Sequence, residues 1–198
     1  MENITIAIAS QIHLKYLVDI EGAFIEAASQ KGNGIAIRDR AYLRIKILEG
    51  KSIIAHSDDG KWAGFCYIES WGHKRFVANS GLIVSSEFRG LGLASKIKEK
   101  ALELSGKLFP GAKLFGLTTN LAVMKINSEL GYKPVTFSEL TDDNEFWKGC
   151  ESCSYYDILV RTARTHCLCT AMLMDPDEKK KVNGKKQASV KAAVVKPS

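Results

Sequence analysis

No apolar run in this 198-residue sequence approaches the ~18 residues that a membrane-crossing helix needs. The N-terminus, Met1-Glu-Asn-Ile-Thr5, has no basic stretch leading into an apolar one, so no secretory signal is expected. The chain shows no internal repeat. Charge of one sign is scarce once it is located. The formal net charge is +6, but residues 175–198 hold seven lysines and three acids, leaving only +2 for the preceding 174 residues. A basic tail of this kind reads as a solvated, disordered extension, so charge gives no argument for nucleic acid. These absences speak against a membrane-spanning, a secreted or a wholly disordered chain, and the expected setting is cytoplasmic.

What is present is ordinary for a packed domain: 45% hydrophobic and 25% charged residues. One domain over residues 1–174 is expected, with a cysteine-rich segment at 145–174 and a tail at 175–198. Ile4, Ile6 and Ile8 alternate as a first strand. Ser10 caps a helix through Leu14, Leu17, Phe24 and Ile25, and Asp39 caps a second helix through Leu43, Ile47 and Leu48. Three strands follow, at 52–56, 62–71 and 75–84. Leu93, Ile97, Ala101, Leu104 and Leu108 then make a helical stripe, ended by Phe109-Pro-Gly111. A strand at 113–117, a helix capped by Asn120, and late strands at 132–135 and 155–160 complete the pattern. The order predicts a mixed α/β fold with a central sheet flanked by helices.

The most informative segment is Gly81-Leu-Ile-Val-Ser-Ser-Glu-Phe-Arg-Gly-Leu-Gly-Leu-Ala94. A strand ends at Val84, and Arg89-Gly90-Leu91-Gly92 leads into an amphipathic helix. Glycines let successive N–H groups converge, and a helix start adds unpaired donors, which together suit a pyrophosphate. The turn is not a dinucleotide fingerprint, because Ser95 stands where a third glycine belongs. It contains no Gly-Lys-Ser/Thr either.

Arg89-Gly90-Leu91-Gly92-Leu93-Ala94 resembles the Gln/Arg-x-x-Gly-x-Gly/Ala signature of the GNAT superfamily of acyl-CoA-dependent N-acyltransferases. Asn120-Leu-Ala-Val-Met-Lys-Ile-Asn-Ser-Glu-Leu-Gly-Tyr132 resembles the next motif of that superfamily at the right distance. The resemblance spans about residues 1–160. It implies that backbone amides from Arg89 through Gly90, Leu91, Gly92 and Leu93 to Ala94 hold the pyrophosphate of acetyl-CoA or another acyl-CoA. Leu82, Ile83 and Val84 would pair with the pantetheine arm, with one N–H on the thioester oxygen. Asn120 and Asn127 would face the pantetheine and the sulfur. A homodimer is a further expectation for this chain.

Aminolysis of a thioester needs a base for the attacking ammonium and a donor for the oxyanion. Glu69 and His73, near the end of the long strand and its turn, are the base candidates. Strand parity puts Glu69 on the face of Phe65, Tyr67 and Trp71. Many family members carry a tyrosine seven residues after the capping asparagine, where it protonates the departing thiolate. Here that place is Asn127, and an amide is no equivalent acid. The task is left to water, to Tyr155 or Tyr156, or to the substrate, with Tyr132 read as core.

Arg38 and Arg40, in the loop that builds the acceptor pocket in such folds, suit a carboxylate. The chain is similar to stand-alone glutamate N-acyltransferases of arginine biosynthesis, the N-acetylglutamate synthase type, which implies an acidic amino acid as acceptor. Peptide amines are the alternative.

Cys150-x2-Cys153 and Cys167-x-Cys169, 13 residues apart, have spacings that can close around one structural Zn²⁺, with the 155–160 strand as the body of the finger and His166 as an alternative ligand. Cys66, mid-strand, reads as core. The rival to an enzyme is a zinc-organised interaction module with a vestigial cleft and a nucleic-acid-binding tail.

Overall fold

The computed structural model describes residues 3–177; most of the predicted basic tail lies outside the described residues. Seven strands form one sheet: β1 (Ile4–Ile8), β2 (Ser52–Ser57), β3 (Trp62–Trp71), β4 (Phe76–Val84), β5 (Lys113–Thr118), β6 (Lys133–Val135) and β7 (Thr170–Met174). Their spatial order is β1-β2-β3-β4-β5-β7-β6. The helices are α1 (Leu17–Ser29), α2 (Arg40–Leu48), α3 (Leu93–Leu108), α4 (Leu121–Glu129), α5 (Asn144–Lys148) and α6 (Tyr156–Arg161). Among the described residues no helix is long and apolar enough to cross a membrane.

The sheet separates two cores, and β3 shows why. Its alternation sends Phe65 and Tyr67 into a cluster with Phe24 of α1 and Leu43 and Ile47 of α2. Cys66 and Ile68 go the other way, under Ile97, Ala101 and Leu104 of α3. Ile97 is fully buried, and a side chain of that size contributes about 1.5–3 kcal/mol. Both expected caps form. Asp39 Oδ1 accepts from the Tyr42 N–H at 2.7 Å, and Asn120 Oδ1 accepts from the N–H groups of Ala122 at 2.9 Å and Val123 at 3.2 Å. Each is worth about 1 kcal/mol.

A third cluster packs α5 and α6 against β5 and β7, and here the sequence reading needs correction. Residues 155–160 are not a strand but mostly belong to α6. The chain turns at Cys153, whose carbonyl accepts from the Tyr156 N–H at 3.1 Å, and helical spacing then buries Leu159 while Val160 faces out. The missing strand is β7, inserted between β5 and β6. Ala171 to Met174 are all buried, so the segment lacks the alternation that marks a half-exposed strand.

Two irregularities in β4 open the sheet. β4 and β5 run parallel and pair only at Phe76, Val77 and Ala78 of β4. From Asn79 to Val84, β4 has no strand partner on that side among the described residues. On its other side, Tyr67 pairs with Ser80 and Phe65 with Ile83, so Gly81 and Leu82 form a bulge. Gly81 has φ +65°, and a Cβ there would lie 2.6 Å from both Phe24 Cζ and Tyr67 Cε1. No side chain fits.

Candidate active site

The gap between β4 and β5 is part of a cleft of about 850 Å³. At one end it is lined by Arg89 and Ala94, which flank the glycine turn. Gly90 and Gly92 have φ of +80° and +71°, and the space where their Cβ atoms would stand is open. The N–H groups of Gly90, Leu91 and Gly92 donate to no acceptor among the described residues. Arg89 Nε donates to the Val84 carbonyl at 3.2 Å, tying the turn back to the strand end. Leu91 is exposed while Leu93 is buried beneath, so the turn is anchored on one side and open on the other. With the first N–H groups of α3, the turn gathers unpaired donors of the kind that suits an anion.

Deeper in, the cleft is lined by Leu82, Ile83 and Val84 on β4 and by Asn120 and Asn127 across the gap. Asn120 spends its Oδ1 on capping α4. Asn127 is 1% exposed, and its Oδ1 has no hydrogen-bond partner among the described residues. Tyr132, read as core, is buried, with its hydroxyl accepting from Asn79 Nδ2 at 2.7 Å.

The other end of the cleft is assembled from distant segments. The α1–α2 loop crosses to the segment just after β5, where the Gly34 N–H donates to Thr119 Oγ1 at 3.1 Å. The segment after α5 clamps the same loop, Ser152 Oγ donating to the Ile37 carbonyl at 3.3 Å. Arg38 projects between them. Its Nε donates to Tyr67 Oη at 2.8 Å and its Nη1 to the Gly149 carbonyl at 2.9 Å. No carboxylate pairs with it among the described residues. Burial opposes its charge, but the Tyr67 hydroxyl and then Tyr42 and Cys150 outweigh this and hold the guanidinium above its usual range.

Glu69 lines the same cleft on the face that parity predicts. Tyr42 Oη and Lys46 Nζ, one helical turn apart on α2, each donate to a different oxygen of its carboxylate. The Lys46 side chain is 5% exposed. Burial and the neighbouring Glu69 carboxylate push the Tyr42 phenol far above its ordinary range, so it stays a proton donor. Tyr42 and Lys46 escaped the sequence reading, although their i, i+4 spacing marks them as one face.

Two expected residues stand elsewhere. His73 sits exposed in the β3–β4 turn with φ +56° and does not line the cleft. Arg40 points away, its Nε donating to Glu21 Oε2 at 2.8 Å, so no arginine pair forms.

Cys150, Cys153, Cys167 and Cys169 share one wall of the cleft as free thiols. Burial and the three other thiols raise the pKa of Cys169, and burial pushes Cys150 to about 11. The soft donor chemistry fits zinc. Among the described residues, however, no group of three or more His, Cys, Asp or Glu side chains is arranged to hold a metal ion.

The family model for GNAT acetyltransferases matches residues 21–132. A search of curated proteins finds no match. Among solved structures, N-acetylglutamate synthase from Neisseria gonorrhoeae, complexed with coenzyme A and N-acetyl-glutamate, aligns at 16% identity with TM-score 0.61, over 87% of this chain and 35% of that one. Rv2747 from Mycobacterium tuberculosis, complexed with CoA, aligns at 13% identity with TM-score 0.62, over 86% of this chain and 98% of that one. A phosphinothricin acetyltransferase from Sinorhizobium meliloti, in complex with AcCoA, aligns at 13% identity with TM-score 0.58, over 88% of each chain. This chain spans about a third of the length of the N. gonorrhoeae enzyme. At these identities the structural likeness speaks for the fold alone. The family match covers more than half of the chain and includes both the glycine turn and the Asn120–Tyr132 motif, so the chain belongs to the GNAT acetyltransferase family.

Proposed function

We propose that this acetyltransferase moves an acetyl group from acetyl-CoA to the α-amino group of a small acidic amino acid, of which glutamate is the type. The observation that carries the reading is Arg38. It is a half-enclosed guanidinium with two of its nitrogens fixed by Tyr67 and Gly149, and it has no carboxylate partner among the described residues. A cation held in place without a counter-ion is preorganised for an anionic group of the substrate.

Around it the chemistry divides among named groups. The amides of Gly90–Ala94 hold the diphosphate, and the unpaired edge of β4 takes the pantetheine. An N–H at the Gly81–Leu82 bulge faces the thioester oxygen as negative charge develops there. Glu69, oriented by Tyr42 and Lys46, accepts the proton of the acceptor ammonium through water. Holding amine and thioester together supplies much of the remaining rate enhancement.

The proposal extends to a structural zinc on Cys150, Cys153, Cys167 and Cys169. It is supported by their spacing and by the one wall they share. Such an ion would stiffen the segment that clamps the α1–α2 loop. Metal analysis of purified protein checks it. One zinc per chain, lost in Cys150→Ser, supports the assignment; a metal-free, fully folded protein removes it.

A thiol-release assay tests the substrate. Glutamate and aspartate are expected to turn over, and polyamines and peptide amines are not. Arg38→Met is expected to raise KM for glutamate by about 10- to 100-fold with kcat changed far less. Peptide turnover without glutamate turnover would overturn the reading.

A further inference from the structure

We propose that Lys98 protonates the coenzyme A thiolate as it departs, the task that Asn127 cannot perform. The inference rests on the acyl-transfer reading above. Lys98 lies on α3 one turn after Ala94, and both residues line the cleft. It is 2% exposed, yet among the described residues it makes no hydrogen bond or ion pair. With only a cation–π contact to the Tyr132 ring to support it, the ammonium is disfavoured by burial, which pushes Lys98 below the usual lysine range.

The groups that face it bring no compensating charge. Cys66 on β3 is a thiol pushed up to about 11 by burial. The Tyr132 ring lies with its centroid 5.4 Å from the Lys98 Nζ, and burial keeps its hydroxyl protonated. Tyr132 accepts from Asn79, the first residue of β4 beyond the last pairing with β5, so Lys98 sits at the depth where the sheet opens. Asn127 Oδ1, buried and unpartnered, lines the same cleft.

The two sides of the sheet thus hold complementary groups. Glu69 and Arg38 stand on the α1–α2 side, and Lys98, Tyr132 and Asn127 on the α3–α4 side. The anion that the reaction creates is the thiolate. Burial makes the Lys98 ammonium a readier proton donor than a free lysine, and the departing thiolate is the base it faces. In the step, the acceptor nitrogen bonds to the carbonyl carbon and the C–S bond breaks, its electron pair going to sulfur. The Lys98 ammonium gives one proton to that sulfur and becomes a neutral amine. The proton of the attacking nitrogen leaves through Glu69 to water, and Lys98 is reprotonated from solvent after CoA departs.

The test compares the wild type with Lys98→Met, Lys98→Arg and Tyr156→Phe, reading acetyl-CoA affinity by calorimetry and kcat across pH. Lys98→Met is expected to bind acetyl-CoA normally, to lose about 100-fold in kcat, and to lack the alkaline limb of the profile. Lys98→Arg is expected to recover part of the rate, with the limb moved upward. Lys98→Met keeping wild-type kcat and limb would overturn the proposal, as would loss of the limb in Tyr156→Phe instead. A wild type that binds no acetyl-CoA would overturn the acyl-transfer reading itself. Turnover undiminished in Lys98→Met would overturn this inference alone.

Discussion

The two ends of the cleft are built in opposite ways. The end proposed for the coenzyme is built mainly from one segment, from the bulge at Gly81 through the turn at Gly90 and Gly92 to Ala94, with Asn120 and Asn127 added across the gap. The acceptor end joins Arg38 from a loop, Glu69 from mid-sheet, and Gly149 to Tyr155 from a segment over 100 residues beyond the loop. A local device can be carried whole through evolution, because neighbouring residues suffice to form it. An end assembled from separated segments can change its substrate by altering one segment while the coenzyme end stays as it is.

The largest expected effect comes where the two ends meet. Gly81→Ala places a methyl group against Phe24 and Tyr67 at a positive φ, and it should cost about 3 kcal/mol by urea denaturation while abolishing turnover. A fully active Gly81→Ala would show that the two ends do not depend on each other at this bulge. Glu69→Gln should lower kcat/KM by about 10²- to 10³-fold and leave acetyl-CoA affinity unchanged, which confines the damage to the acceptor end. Gly92→Ala should do the reverse, weakening acetyl-CoA binding about 10-fold by calorimetry while the acceptor KM holds.

The smallest effect lies away from both ends. Burial, then the nearby His56, lowers the pKa of His13 from 6.5. As pH falls below about 6.5 the unfolded chain takes up the proton first, so stability falls with it, by at most one proton's slope of about 1.4 kcal/mol per pH unit. His13 accepts from the Ser10 N–H at 2.9 Å, a role glutamine can fill, so His13→Gln should flatten thermal stability between pH 6.5 and 5 without altering either substrate's binding.

The same division explains what the sequence reveals. The turn after Val84 and the caps at Asp39 and Asn120 are legible because each involves residues within a few positions of one another. Arg38 and Arg40 look equivalent in sequence. The contact that separates them is Glu21, on the preceding helix, which draws Arg40 away. Strand β7 carries no alternation because neighbours cover it on both faces. Tyr155–Val160 has strand-like composition, yet a local turn at Cys153 starts a helix there. Nothing in the sequence pattern singles out Lys98, and its burial follows only from the strands that pack beneath α3.

The proposed chemistry stands on the opening beside β4 as the seat of the coenzyme. A crystal structure with acetyl-CoA decides this. The diphosphate is expected on the amides of Gly90 to Ala94 and the pantetheine along Asn79 to Val84, with its sulfur level with Lys98. Coenzyme bound elsewhere, with this opening empty or closed by β5, would contradict it.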